Sequence, residues 1–120
     1  MLPALLTTRY ASVDPARMVP VHTSIGRPGW VGYELVGWRT VAPFGVLGET
    51  DPDVFRRRYR HRLHRLTPRV LHELADLRAA YDGWPLALCC FEDVTKPGAW
   101  CHRTFLAEWL AEKGVIIEEL

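Results

Sequence analysis

Cys101, His102 and Arg103 are consecutive, and they follow Cys89-Cys90 and the acidic pair Glu92-Asp93 across a short loop carrying Pro97 and Gly98. A thiol, an imidazole and a guanidinium are the parts of a nucleophile, a proton carrier and an anion clamp. They open an amphipathic helix with Phe105, Leu106, Trp109 and Leu110 on its buried face and Gly114 as its stop. Free amides and the positive dipole end of a helix attract anions there and lower the pKa of a thiol. Cys101, Glu92 and His102 are therefore the candidate catalytic residues. A cation in the first turn is unfavourable for the helix itself, so Arg103 calls for an anion: Glu92, Asp93 or a ligand. Cys90, Cys101 and His102 lack the paired short spacing of structural zinc motifs, so neither a metal nor a cofactor is expected. The interval from Cys101 to Arg103 is too short for a phosphatase loop cradling a phosphate.

Such a junction needs a strand to deliver it. Pro85–Phe91 has no polar alternation and reads as a central parallel strand buried on both faces. Cys89 and Cys90 then point to opposite sides, each as a small buried apolar residue. Leu2–Thr8 reads as a first strand, Met18–Thr23 as a second near a sheet edge because Pro20 lacks a donor, and Val115–Ile117 as the last. Ser24-Ile25-Gly26-Arg27 follows the second strand, either as a polar turn or, with His22, as a second wall of the site. Between Ser24 and Thr50 the chain is glycine-rich, and Tyr33–Val36 with Trp38–Val41 suggests a hairpin across Gly37. Thr50 or Asp51 caps a helix over 51–66, Thr67-Pro68 restarts one over 68–81, and the third covers 101–113. The whole is a single α/β domain, 1–120, with a largely parallel sheet of about four strands and about three helices.

The middle helix carries a second feature. Residues 54–72 hold seven arginines and no acidic residue, although the chain's net charge is only +1. That stripe, with Arg57, Arg60 and Arg62, suits phosphates or a partner surface, or is a solvated face meeting acidic neighbours. With 120 residues, 48% hydrophobic and 24% charged, the composition is that of an ordinary soluble domain. No apolar run approaches the ~20 residues needed to span a bilayer, and the start of the chain lacks the pattern of a secretory signal. Three cysteines, two of them adjacent, make a poor disulfide framework and fit a reducing cytoplasm.

LCCFEDVTKPGAWCHRTFLAEWL resembles the bacterial and phage family catalogued as "domain of unknown function 488", whose members carry a cysteine-containing, Glu-bearing turn after an apolar strand and then Cys-His-Arg opening a helix. Val19 to Ser24 lies where that family has a strand of Asp-Val-Arg-Ser character, with Pro20 and His22 in place of the acidic residue and the arginine. The resemblance covers about a quarter of the chain and implies a small α/β fold with no established activity. The sequence reading is thus an anionic, nucleotide-like ligand bound at the 85–91/101–113 junction, by an enzyme acting on a nucleotide or nucleic-acid substituent if catalysis occurs. Arg103, Asp93, Ser24, Arg27 and His22 would bind it. The alternative is a non-catalytic nucleic-acid- or protein-binding module using the arginine helix.

Overall fold

In the computed structural model, which describes residues 2–120, the sheet is built from parallel strands β1 (Leu5–Arg9), β2 (Val19–His22), β3 (Val36–Gly37), β4 (Leu86–Cys90) and β5 (Glu118–Glu119). Residue 1 of the expected domain lies outside the described residues. The sheet order is β3-β2-β4-β1-β5, so β4 is central and fully buried. Its register runs Leu86 to Cys90 against Leu5 to Arg9 on one side and Leu86 to Cys89 against Val19 to His22 on the other.

Three helices follow the expected bounds within a residue or so: α1 (Pro52–Arg65), α2 (Thr67–Ala80) and α3 (His102–Glu112). Asp51 caps α1 by accepting from the amides of Asp53 and Val54, with Pro52 in the first turn where no donor is missed. Gly114 ends α3 at φ +83°, and the Val115 amide reaches back 3.0 Å to the Leu110 carbonyl.

All three helices lie on one face of the sheet. Phe55, Tyr59 and Leu63 of α1, Val70 and Leu74 of α2, and Leu106 and Leu110 of α3 share a core with Leu5, Val21, Leu86 and Leu88. The other face carries Leu6, Ala87 and Cys89 under Tyr10, Met18, Val31 and Leu35, which come from loops and a one-turn 3-10 helix at Tyr10–Ser12. Chain direction explains this split. The steps from β1 to β2 and from β2 to β3 move one way along the sheet, and those from β3 to β4 and β4 to β5 move the other way. Parallel crossovers share one hand, so opposite steps must cross opposite faces. The two helical crossovers take one face, and the two short connections take the other.

The sheet has five strands, close to the expected four or so, and two other expectations are corrected. Tyr33–Val36 and Trp38–Val41 form no hairpin: Val36–Gly37 pairs parallel to β2, and Arg39–Val41 is a 3-10 turn. The Trp38 indole and the Thr40 hydroxyl donate to Glu73 on α2, at 3.0 and 3.2 Å, and this turns the segment toward the helices. The last strand is Glu118–Glu119 beside β1, not Val115–Ile117. Val115 and Ile117 pack on the core as a connector, and pairing begins at Glu118 opposite Leu6, beside the contacts of Glu119 with Arg103 and Thr7.

Candidate functional site

A cavity of about 540 Å³ opens at the carboxyl ends of β2 and β4. The chain leaving β2 heads toward β3, whereas the chain leaving β4 heads the other way, through α3 toward β5. Where outgoing connections diverge, a parallel sheet leaves a crevice, and ligands of such folds bind there. Phe55, Phe91 and Trp100 give the cavity aromatic walls, Ser24 and Gly26 one polar side, and Glu49 and Glu92 two carboxylates. Its floor is Cys90, Cys101 and His102.

These three residues converge although they come from a strand end and a helix start. Residues alternate across β4, so Cys90 shares the helix face with Leu86 and Leu88, while Cys89 faces the rear. Cys101 is the residue preceding α3, directly above that face. The structure joins Cys90 and Cys101 through a disulfide, with Cα atoms 7.1 Å apart. His102 Nδ1 lies 3.5 Å from Cys90 Sγ and 3.6 Å from Cys101 Sγ. On the far side of the ring, Nε2 is 3.0 Å from Thr23 Oγ1.

The tautomer follows from bookkeeping of protons. Thr23 Oγ1 donates to the Cys89 carbonyl at 2.7 Å, so toward His102 it acts as an acceptor. Nε2 therefore carries the hydrogen, and the Nδ1 lone pair faces both sulfurs. Burial pulls the imidazole down to about 4, which keeps it neutral at ordinary pH. The Tyr59 ring, nearly perpendicular to the imidazole with centroids 5.8 Å apart, holds it from the helix side. Thr23 ends the strand expected over Met18–Thr23, with no part in the site expected for it. Its role was legible in the alternation that puts Val19, Val21 and Thr23 on one face.

The expected picture of three free thiols is corrected: Cys89 alone is free, and burial pushes its thiol up to about 12. Cys101 is tied to Cys90 rather than standing as a lone reactive thiol, because strand end and helix start meet in space. Cys90, Cys101 and His102 lack the paired short spacing of structural zinc motifs, yet the fold brings their donor atoms within 4.8 Å of one another.

Arg103 is corrected too. It is 1% exposed and turned away from the cavity, donating from Nε and one terminal nitrogen to the two oxygens of Glu119, at 3.0 and 3.1 Å. Neither Glu92 nor Asp93 is its partner. Asp93 caps a turn through Thr95 and pairs with Arg9 at 3.5 Å, whereas Glu92 is exposed at the cavity. Ser24 reaches the cavity but Arg27 is exposed outside it. His22 sits behind Ser24, its Nδ1 2.7 Å from the Tyr10 hydroxyl, which also meets Ser24 Oγ at 2.7 Å. Ser24 itself donates to the Gly26 carbonyl, so this network fixes the wall of the cavity.

Most of the arginine stripe is spent within the chain. Arg56 and Arg60 pair with Glu108 and Glu112 on α3, at 2.8 and 2.6 Å. Arg62 donates to the carbonyls of Thr40 and Ala42, and Arg58 to that of Gly45. Of the three expected nucleic-acid contacts, Arg57 is exposed and Arg60 and Arg62 are half-buried. Among the described residues, no helix is long and apolar enough to cross a membrane.

Fold and site together define a parallel α/β domain with a switch-point cavity floored by a cysteine pair and a histidine. Compared with known protein families, curated proteins and solved structures, the chain matches none.

Proposed function

We propose that the protein is a thiol–disulfide oxidoreductase acting on a small molecule, with Cys90 and Cys101 alternating between dithiol and disulfide at the cavity floor. The observation that carries this reading is the joined sulfur pair lining a cavity of ligand size, with an unprotonated Nδ1 beside both sulfurs. In the reduced form the Cys101 thiol, at the positive end of α3, loses its proton to solvent and the thiolate attacks one sulfur of a small disulfide RSSR. The S–S bond of RSSR breaks, one RS− leaves and takes up a proton from solvent to become RSH, and a Cys101–SR mixed disulfide remains. Cys90 then attacks the Cys101 sulfur, and the second R leaves as RSH with the proton from Cys90. One protein dithiol and one RSSR become one protein disulfide and two RSH, and a small thiol drives the reverse.

The lining narrows the substrate. Aromatic walls with Glu49 and Glu92, and no cationic side chain among the lining residues, favour a neutral or amine-bearing disulfide over a carboxylate-rich one. The test is stopped-flow oxidation of the reduced protein by cystamine and, separately, by a dicarboxylate disulfide. Cystamine is expected to react faster, and each single change Cys90→Ser or Cys101→Ser to end turnover. Oxidation no faster than that of a free thiol of matched pKa would sink the reading.

A second reading keeps the anionic, nucleotide-like ligand and the family resemblance. It is supported by α3, which starts at the cavity with no side chain capping its amides. Saturable thermal stabilisation by a nucleotide monophosphate supports it, and the absence of any shift at millimolar concentrations removes it.

A further inference from the structure

We infer that the reduced site is a metal centre: Cys90 Sγ, Cys101 Sγ and His102 Nδ1 hold a thiophilic divalent cation, zinc by donor chemistry, with its fourth position open to the cavity. The donor set is the first argument. Two thiolates and an imidazole select zinc among common divalent ions, and three protein ligands with one open place form a reactive zinc site rather than a structural one. The spacing is the second. Zinc–sulfur and zinc–nitrogen bonds of about 2.3 and about 2.0 Å at tetrahedral angles put sulfur about 3.5 Å from nitrogen. The structure has Nδ1 3.5 and 3.6 Å from the two sulfurs. The sulfurs themselves must part on reduction to about 3.8 Å for the same geometry. Their Cα atoms, 7.1 Å apart, suit separated sulfurs, since disulfides ordinarily span about 4.4 to 6.8 Å.

The third argument is independent of the sulfurs. A ligating histidine is normally oriented by a hydrogen bond at its other nitrogen. Here Nε2 donates to Thr23 Oγ1, whose own hydrogen is held by the Cys89 carbonyl, and the imidazole packs on Tyr59. Nδ1 is thus fixed as a lone pair aimed between the two cysteines before any ion arrives.

Metal and disulfide are then exclusive states of one pair. Oxidation of Cys90 and Cys101 by a small disulfide, itself reduced to two thiols, forms the S–S bond, removes both sulfur ligands and releases the ion, and reduction of that bond by a small thiol, which becomes a disulfide, restores the site. The inference rests on the convergence of donors and stands whether or not the protein turns over small disulfides. Zinc uptake without disulfide exchange would leave it intact and end the oxidoreductase reading. Exchange without uptake would do the reverse.

The experiment loads the fully reduced protein with cobalt(II) and zinc(II) under anaerobic conditions. One equivalent of cobalt should bind with tetrahedral visible bands and sulfur-to-metal charge transfer, zinc should displace it, and the oxidised protein should bind neither. Cys90→Ser and Cys101→Ser should each abolish the charge-transfer pattern of two sulfurs, whereas Cys89→Ser leaves it unchanged. Thr23→Val is expected to weaken zinc by about 10- to 100-fold while keeping both sulfur ligands, and Thr23→Ser to restore it. Folded, reduced wild-type protein that takes up no cobalt or zinc overturns the inference. So does uptake indifferent to both cysteine changes.

Discussion

Removing the Glu119 carboxylate tests how the second wall of α3 is held. Arg103 is 1% exposed, and its two oriented bonds go to Glu119, which also accepts from Thr7 Oγ1 at 2.9 Å. In Glu119→Ala the guanidinium stays buried with no carboxylate. Breaking one side of a buried pair costs about 3–5 kcal/mol. The Glu119 side chain is 33% exposed, so water can partly replace it, and about 2–3 kcal/mol is the better figure. For a chain of this size 1 kcal/mol moves Tm by roughly 3–6 °C, so the expected loss is about 10 °C.

The pair is also expected to be replaceable as a unit. Arg103→Met with Glu119→Leu leaves no buried charge and should recover most of the lost stability, since apolar substitutes for buried ion pairs are often neutral or better. Circular-dichroism melts and urea titrations of the two variants and of Glu92→Ala and Asp93→Ala decide the matter. The last two should melt within about 2 °C of the parent, as surface changes do. A Glu119→Ala protein that melts with the parent, or a double variant no better than the single one, would refute the burial argument.

Leu88→Asp places an unpaired carboxylate in the middle of β4, where both faces are buried, and should leave no cooperatively melting protein; a soluble variant with a sharp transition would contradict the central position of that strand. Tyr59→Phe removes a buried hydroxyl that donates to the Val41 carbonyl at 2.6 Å, and urea titration should show a loss of about 1–2 kcal/mol. Burial raises the Glu73 carboxyl, but hydrogen bonds from Thr40, Trp38 and Arg69 outweigh it and hold the group below its ordinary value. A depressed carboxyl contributes stability that is present above its unfolded pKa and lost as pH falls through its folded one. Stability measured on acidification should therefore fall less steeply in Glu73→Gln, and an unchanged slope would remove Glu73 from the account.

Much of the fold could be read before any coordinates because its strongest signals are local. Asp51-Pro52 and Gly114 mark helix ends through caps and dihedrals that depend on a few residues. The unbroken apolar run in β4 reports burial on both faces, and that placed it at the centre. The edges were not legible for a physical reason. β3 is two residues long and β5 is Glu-Glu, so neither carries an apolar period. A charged, short edge strand is how sheets avoid pairing with other chains, and here its position is decided by Arg103 from another element. Ile116, the most apolar-looking part of the expected last strand, is 81% exposed.

The site divides along the same line, and adjacent Cys89 and Cys90 show where. Composition treats them alike, each a small buried apolar residue. Period-two alternation separates them completely: Cys89 goes to the rear face among Leu6, Tyr10 and Ala87, and Cys90 to the face where α3 begins. The same parity sends Thr23 rather than His22 toward His102. What the chain alone withheld was the sheet order. β4 enters between β2 and β1, so the chain leaving β2 and the chain leaving β4 part in opposite directions. That divergence opens the cavity, and parity then supplies its floor with Cys90 from the strand and Cys101-His102 from the helix. The position of the chemistry thus follows from topology, and its identity from which residue of each neighbouring pair the pleat turns toward the helices.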